Sequence, residues 1–362
     1  MLKDAIDFSA VRRVLVIKLR HHGDVLLTSP VLTVLKNHVP GIEVDALVYH
    51  DTREMLSDHP ALDRLFTIDR RWKALGPVGQ LRAEWAVLRA LRARQYDLVI
   101  HLTNHKRGAW LTRWLRPRWA VAPAGPFGKF FARSFTHRYA VVGGNRRHTV
   151  ETHLDALRRL GLQPLPQERR LVFVADAAAR SRVEGLLQAQ GVWPGGYLLV
   201  HPTSRWMFKT WPTERMAAFI DLLTARGIPV VLTAAPSAEE MQCVEGILAR
   251  LARPVVSLAG QLSLKELGAA IASARLFVGM DSVPMHLAAA TGVPTVALFG
   301  PSGEVEWGPW QVPHRILTQP FSCRPCGKDG CGGGKRSECI DTIVPEAVLA
   351  ACEALWPDGE EA

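Results

Sequence analysis

Short runs of Val, Leu and Ile alternate with longer stretches of helical spacing, and this alternation occurs in both halves of the sequence. An apolar run too short to be a core helix reads as a strand buried on both faces, and strands separated by helices pair in parallel. In the first half, residues 11–19 (VRRVLVIKL), 43–49 and 97–102 (DLVIHL) read as strands. Residues 24–38 read as a helix stopped by Pro40-Gly41, and residues 85–94 place apolar side chains at helical spacing with arginines on the other face. In the second half, strands are expected at 197–201 (YLLVH), 228–233 (IPVVLT), 255–258, 276–279 and 295–299 (TVALF). Helices fit at 212–226 and 264–273, and a last one at 345–356. Residues 161–182, with Pro164 and Pro166, read as the connection. The expectation is an α/β fold of two Rossmann-like, doubly wound lobes facing an interlobe cleft: residues 1–175 and 176–344, then a C-terminal helix and tail at 345–362. A length of 362 residues and a hydrophobic fraction of 48% suffice for two such cores.

Charge is unevenly placed. Residues 70–148 hold 17 Lys or Arg against only Glu84 and Asp97, so the remainder is net acidic although the whole chain carries +10. Trp72, Trp85, Trp110, Trp114 and Trp119 lie in the same stretch. A local basic face points to an anionic partner: nucleic acid, a membrane surface or a phosphorylated substrate. A merely solvated basic surface is the bland alternative. The sequence contains no recognisable nucleic-acid module. No apolar run approaches the ~18 residues of a membrane span. The apolar stretch near the N-terminus is too short for a signal peptide. The expected location is therefore the cytoplasm, with the six cysteines mostly reduced.

Five motifs carry possible chemistry. Gly23-Asp24 follows the first strand, where a glycine permits a tight turn. Asp24 is expected at the start of a helix, either as its N-cap or as a carboxylate able to accept a hydroxyl proton. It is not part of a G-x-G-x-x-G fingerprint, so no dinucleotide site is read here. The stretch HPTSRWMFKTWP, residues 201–212, offers Thr203, Ser204 and Lys209 to phosphate oxygens. In GMDSVPMHLAAATGVP, residues 279–294, a helix starts near Ser282, and its free N–H groups suit an anion. Asp281 would either cap that helix or hold Lys209, and His286 lies one turn inside. TAAPSAEE, residues 233–240, puts Glu239 or Glu240 where ribose hydroxyls could bind, though acidic residues are common in any first helical turn. Finally, Cys323-x2-Cys326-x4-Cys331-x7-Cys339 is either a closed structural metal site of the zinc-ribbon kind or a loop of reduced thiols; its second spacing is wider than usual for zinc.

Taken together and in order, KLRHHGDVLLTSPVLTVLK, HPTSRWMFKTWP, TAAPSAEE and GMDSVPMHLAAATGVPTVALFG resemble the lipopolysaccharide heptosyltransferases of glycosyltransferase family 9, over about residues 11–300 and again at the tail helix. The resemblance implies a GT-B fold and an inverting, metal-independent transfer from ADP-L-glycero-β-D-manno-heptose to a heptose of the phosphorylated lipopolysaccharide inner core. It implies Asp24 as general base and Lys209 on the donor phosphates. Asp281 and Ser282 would stand at the donor-site helix and one of Glu239 and Glu240 near the nucleoside. The residues' own positions add Gly23, Thr203, Ser204 and His286 to the expected donor set, His286 with a structural role as its alternative. No cofactor and no nucleic-acid partner are implied. The basic first lobe would then face a phosphorylated glycolipid at the cytoplasmic surface of the inner membrane. Alternatives are a GT-B enzyme using another nucleotide sugar, or a protein that binds an anionic polymer.

Overall fold

The computed structural model describes residues 4–356. The chain folds into two compact units, Met1–Gly143 with Arg147–Val174, and Gly144–Arg146 with Ala175–Ala362.

The first unit contains strands β1 (Arg13–Lys18), β2 (Glu43–Tyr49), β3 (Arg64–Ile68), β4 (Leu98–His101), β5 (Trp119–Pro123) and β6 (His137–Tyr139). Its helices are α1 (His22–Leu26), α2 (Ser29–His38), α3 (Gly76–Ala93), α4 (Lys106–Leu115), α5 (Gly128–Ala132) and α6 (Thr149–Leu160). All pairings are parallel, in the order β3-β2-β1-β4-β5-β6. The central strand is buried on both faces: Val14, Leu15, Val16 and Ile17 are each at most 1% exposed, which is why the sequence there is a continuous apolar run. Asp45 in β2 is also buried, and it is satisfied by Arg94 Nε at 2.7 Å and the Tyr96 hydroxyl at 2.8 Å. Those two residues follow α3, so the buried carboxylate pins the end of that helix to the sheet.

The second unit contains α7 (Ala177–Gln188), β7 (Leu198–His201), α8 (Thr213–Ala225), β8 (Val230–Leu232), α9 (Ala238–Leu248), β9 (Val256–Ser257), α10 (Leu264–Ala272), β10 (Leu276–Met280), α11 (Val283–Thr291), β11 (Thr295–Leu298), α12 (Glu304–Trp307), β12 (His314–Leu317), α13 (Glu338–Asp341) and α14 (Pro345–Glu353). Its sheet is again parallel, in the order β12-β11-β10-β7-β8-β9. Counted from its own first strand, this is the same winding as in the first unit. In both, the order reverses beside the first strand, at β1/β4 and at β7/β10.

The structure departs from the sequence reading in several places. The helix expected at 24–38 is two helices, because Pro30 has no N–H for the Leu26 carbonyl and its ring would clash there. The chain turns at Leu27 and Thr28, and the Thr28 hydroxyl donates to the Val25 carbonyl at 2.6 Å. Strands β3, β5, β6 and β12 have no counterpart among the expected elements. The C-terminal helix is no separate segment: Val348, Leu349, Ala351 and Cys352 pack in the second unit's core with Trp211, Phe219 and Ile220. The tail at 357–362 lies outside the described residues.

Trp211 anchors that core. It is 1% exposed, and its Nε1–H donates to the Ile343 carbonyl at 3.2 Å, just before α14. Trp211→Ala is expected to cost about 3–5 kcal/mol of stability. Trp110→Ala, at a side chain 64% exposed, should cost under ~0.5 kcal/mol. Urea midpoints of the two variants check the contrast.

Candidate active site

In an open parallel sheet, ligands bind beyond the carboxyl ends of the strands where the winding reverses, because the two following segments part to opposite faces and leave a crevice. Both units place polar residues there.

In the first unit, Lys18 ends β1 and is buried. Its ammonium donates to the Leu102 carbonyl, just after β4, at 3.1 Å. It lies 2.8 Å from His153 Nε2 and 3.5 Å from Asp24 Oδ1. His153 comes from α6, and its Nδ1 is 2.9 Å from the Leu27 carbonyl. A carbonyl only accepts, so Nδ1 carries the proton and Nε2 accepts from Lys18. Burial, and then the Lys18 charge, hold the His153 imidazole neutral, well below its ordinary range. Burial also lowers Lys18, to about 8, against the opposing pull of Asp24. Arg20 Nε is 4.0 Å from the same Asp24 oxygen. The Asp24 side chain is 17% exposed, so it is reachable as well as oriented.

Asp24 is not the helix cap. His21 occupies that position and Asp24 lies in the first turn of α1. Gly23 is equally inside the helix: its carbonyl accepts from Leu27 N–H at 2.9 Å, and it makes no positive-φ turn.

In the second unit, two clusters stand at adjacent strand ends. After β10, Asp281 Oδ2 accepts from Lys209 Nζ at 2.6 Å, with Asp281 8% exposed and Lys209 in the 3-10 turn Met207–Lys209. Asp281 thus holds the lysine rather than capping α11. Ser282 is the N-cap by position, but its side chain makes no capping bond and lies 3.4 Å from the Met280 carbonyl instead. Pro284 removes a further donor from that turn. The helix is buried all round, which explains its alanines, and His286 is buried within it.

The other cluster lies after β7 and β8. Thr203 is fully buried, and its hydroxyl donates to Glu240 Oε2 at 2.6 Å. The Ala235 N–H reaches the same oxygen at 3.2 Å. His201 Nδ1 is 3.0 Å from the Thr233 hydroxyl. Burial lowers the His201 imidazole to about 4, although the Glu240 carboxylate opposes this. Ser204 is buried and accepts from Trp206 N–H at 3.3 Å, so it shapes its own loop. Of the two acidic candidates, Glu240 is turned to the strand ends, whereas Glu239 is exposed. Ser237 caps α9 and thereby fixes which face each presents. Gly279 permits this crowding: a Cβ there would lie 2.6 Å from the Phe277 ring and 3.2 Å from the His201 carbonyl.

The structure therefore joins Asp24 with Lys18 and Arg20, Lys209 with Asp281 beside Ser282, and Thr203 with Glu240 and His201. Lys18, Arg20 and His201, and the His153 that accepts from Lys18, are not singled out by the motifs. The signal for Lys18 is legible, as a charged residue closing an apolar strand. Nothing local marks His153.

Two parallel six-stranded sheets of this winding, with such residues at the strand ends, define a GT-B fold. The TM-score is 0.82 to a glycosyl transferase family 9 structure from Veillonella parvula DSM 2008, at 23% identity, covering 98% of this chain and 99% of the other. It is 0.75 to the E. coli heptosyltransferase WaaC with ADP, at 22% identity, covering 95% and 99%. In sequence, the chain is 37% identical over 344 residues to lipopolysaccharide heptosyltransferase 3 of Escherichia coli (strain K12), covering 94% of this chain and 97% of that one. Residues 84–335 match the family model for glycosyltransferase family 9 (heptosyltransferase). The chain belongs to glycosyltransferase family 9.

The Lys18 network has a pH signature. The folded state lowers Lys18 to about 8 from 10.5, so between these values the unfolded state holds more protons and stability rises with pH. Relative to Lys18→Met, the native protein is expected to gain on the order of 3 kcal/mol across that window. Urea unfolding of both proteins at its two ends measures the difference; parallel curves would sink the assignment.

Proposed function

We propose that this chain is an inverting glycosyltransferase that moves a heptose from ADP-L-glycero-β-D-manno-heptose to a heptose of the lipopolysaccharide inner core, with Asp24 as general base. The observation that carries this reading is the held carboxylate: Asp24 is partly accessible, with one oxygen beside Lys18 and Arg20, at the winding reversal of the first sheet. The 37% identity to a lipopolysaccharide heptosyltransferase supports the choice of sugar and acceptor.

In the proposed reaction, Asp24 takes the proton of the acceptor hydroxyl as its oxygen bonds to the anomeric carbon, and the bond from that carbon to the ADP oxygen breaks. The transition state is oxocarbenium-like, as in glycoside hydrolysis. Charge grows on the departing diphosphate, where fixed donors are most effective. Lys209, oriented by Asp281, and the first turn of α11 at Ser282 supply that stabilisation, so no metal is needed on the diphosphate. Glu240, rather than Glu239, is the acidic group for the ribose hydroxyls, with Thr203 setting its position. His286 and Ser204 support the helix and the loop, and Gly23 keeps the first turn of α1 open to substrate.

Residues 1–175 would bind the acceptor and 176–344 the nucleotide sugar. Among the described residues, no helix is long and apolar enough to cross a membrane. Peripheral attachment at the cytoplasmic face of the inner membrane has a different support. Val78, Leu81 and Trp85 recur at spacings of three and four along α3 and are exposed. Trp85 contacts exposed Trp114 at 5.5 Å, and Trp110 contacts Phe130 at 4.7 Å. Arg92 and Arg113 lie over Trp114 and Phe130 at 5.1 and 5.2 Å. Amphipathic rings and arginines of this kind suit an anionic lipid interface.

Incubation with ADP-heptose and truncated core acceptors, read by product mass and linkage, tests the donor and the acceptor. Consumption of a different nucleotide sugar with ADP-heptose untouched would overturn the assignment. Asp24→Asn should lower kcat by at least ~100-fold with donor binding nearly intact, while Lys209→Ala should weaken donor binding as well. Transfer should proceed without added Mg2+ and should not rise when Mg2+ is supplied. Binding to vesicles containing anionic lipid should fall with added salt and in Trp85→Ala/Trp110→Ala; equal binding to neutral vesicles would refute the electrostatic part.

A further inference from the structure

The segment between β12 and α13, residues 318–337, has little to hold it. It contains one 3-10 turn, Cys331–Gly333, and only Gly330 and Ser337 are buried in it. Five of its residues are glycines, and Gly327, Gly330, Gly332, Gly333 and Lys335 adopt positive φ. Ordering such backbone costs more entropy than ordering other residues, and loops beyond ~12–15 residues without a core are uncommon. The usual remedy is a cross-link. Four thiols are present in or beside the segment, and all are free: Cys323 and Cys331 exposed, Cys326 half-buried and Cys339 buried. Chain contacts bring two parts of the set to one place: Cys339 packs at Gly300, where a Cβ would stand 3.6 Å from its Sγ, and Gly327, next to Cys326, donates to the neighbouring Pro301 carbonyl at 2.9 Å.

We propose that Cys323, Cys326, Cys331 and Cys339 bind one divalent metal ion as four thiolates, closing this segment. Four soft sulfurs in a tetrahedron suit zinc or iron, and elemental analysis separates the two. Among the described residues, no three His, Cys, Asp or Glu are yet gathered into a ready cation site. The ion itself supplies the free energy that draws the flexible glycine-rich backbone together, as in small metal-dependent folds. Binding releases four thiol protons and leaves a net charge of about −2 on the complex. Residues 318–337 carry Arg324, Lys328, Lys335 and Arg336 against Asp329 alone, a positive balance that suits such a charge. A site filled by four sulfurs has no open position, so its role is structural.

Its location gives that role a target. Arg324 Nε donates to the Gly300 carbonyl at 2.6 Å, and its Nη2 reaches Glu304 at 3.1 Å. Gly327 N–H donates to the Pro301 carbonyl at 2.9 Å. Gly300 is where Cys339 packs: a Cβ there would stand 3.6 Å from its Sγ. The segment thus braces the loop after β11, the neighbour of the strand that Asp281 follows.

The test uses the full-length protein, expressed with zinc and iron supplied and purified under reductant. About one zinc or iron per chain is expected. Cys323→Ser/Cys326→Ser should lose it, and Cys243→Ser, outside the cluster, should keep it. Should the double variant fail to fold, chelation of the native protein and addition of Co2+ should produce the absorption of a tetrahedral thiolate complex. A folded native protein without stoichiometric metal, disulfides among the four cysteines, or metal retained in the double variant would each overturn the proposal.

Discussion

Both units depend on one topological constraint, the reversal of winding beside the first strand of each sheet. Elsewhere in a doubly wound sheet, successive crossovers cover the strand ends from one side. At β1/β4 and β7/β10 the following segments leave to opposite faces, and the backbone carbonyls and side chains there have space. Lys18 bridges the first reversal, because it ends β1 and donates to the carbonyl after β4. Thr203, Glu240 and Asp281 gather at the second. These are residues that no single element could bring together.

These positions are electrostatically costly. A buried ammonium, a buried carboxylate and two buried imidazoles all oppose folding unless paired. Each is paired: Lys18 with two acceptors and Asp24, Glu240 with Thr203 and Ala235, His153 with Leu27 and Lys18, His201 with Thr233. The apolar sheets offset an arrangement that apolar residues of similar volume would make more stable. The pairing also fixes direction. His153 can accept from Lys18 at Nε2 only because its Nδ1–H donates to the Leu27 carbonyl, so the orientation of Asp24 is set through two residues from α6 and β1.

Legibility in the sequence follows burial. The strand at 43–49 is legible with its observed ends because it is buried nearly throughout. Edge strands β3, β6 and β12 are not: each is partly exposed and interrupted by arginine or histidine, so no continuous apolar run marks them. β5 is buried, but it follows Arg116-Pro117-Arg118, opens on a tryptophan and ends on a proline. Asp24, Lys209 and Asp281 are visible because glycine, proline and strand ends surround them. Glu239 and Glu240 are inseparable without the helix start, since one residue turns a helix by about 100°. His153 lies 135 residues from Lys18 in sequence, and only the fold joins them.

One detail of the second unit reaches beyond its geometry. α11 begins at Ser282 without a side-chain cap, and Pro284 thins its donors further. A helix start of this kind is the weakest part of an element whose residues 284–289 are buried, and opens more readily than its centre. A phosphate seated there would complete the turn from outside, so the ligand becomes part of the helix's own secondary structure. Amide hydrogen exchange in the first turn of α11 would then report occupancy directly: slow with donor bound, fast without it, while the alanine-rich centre of the helix exchanges alike in both.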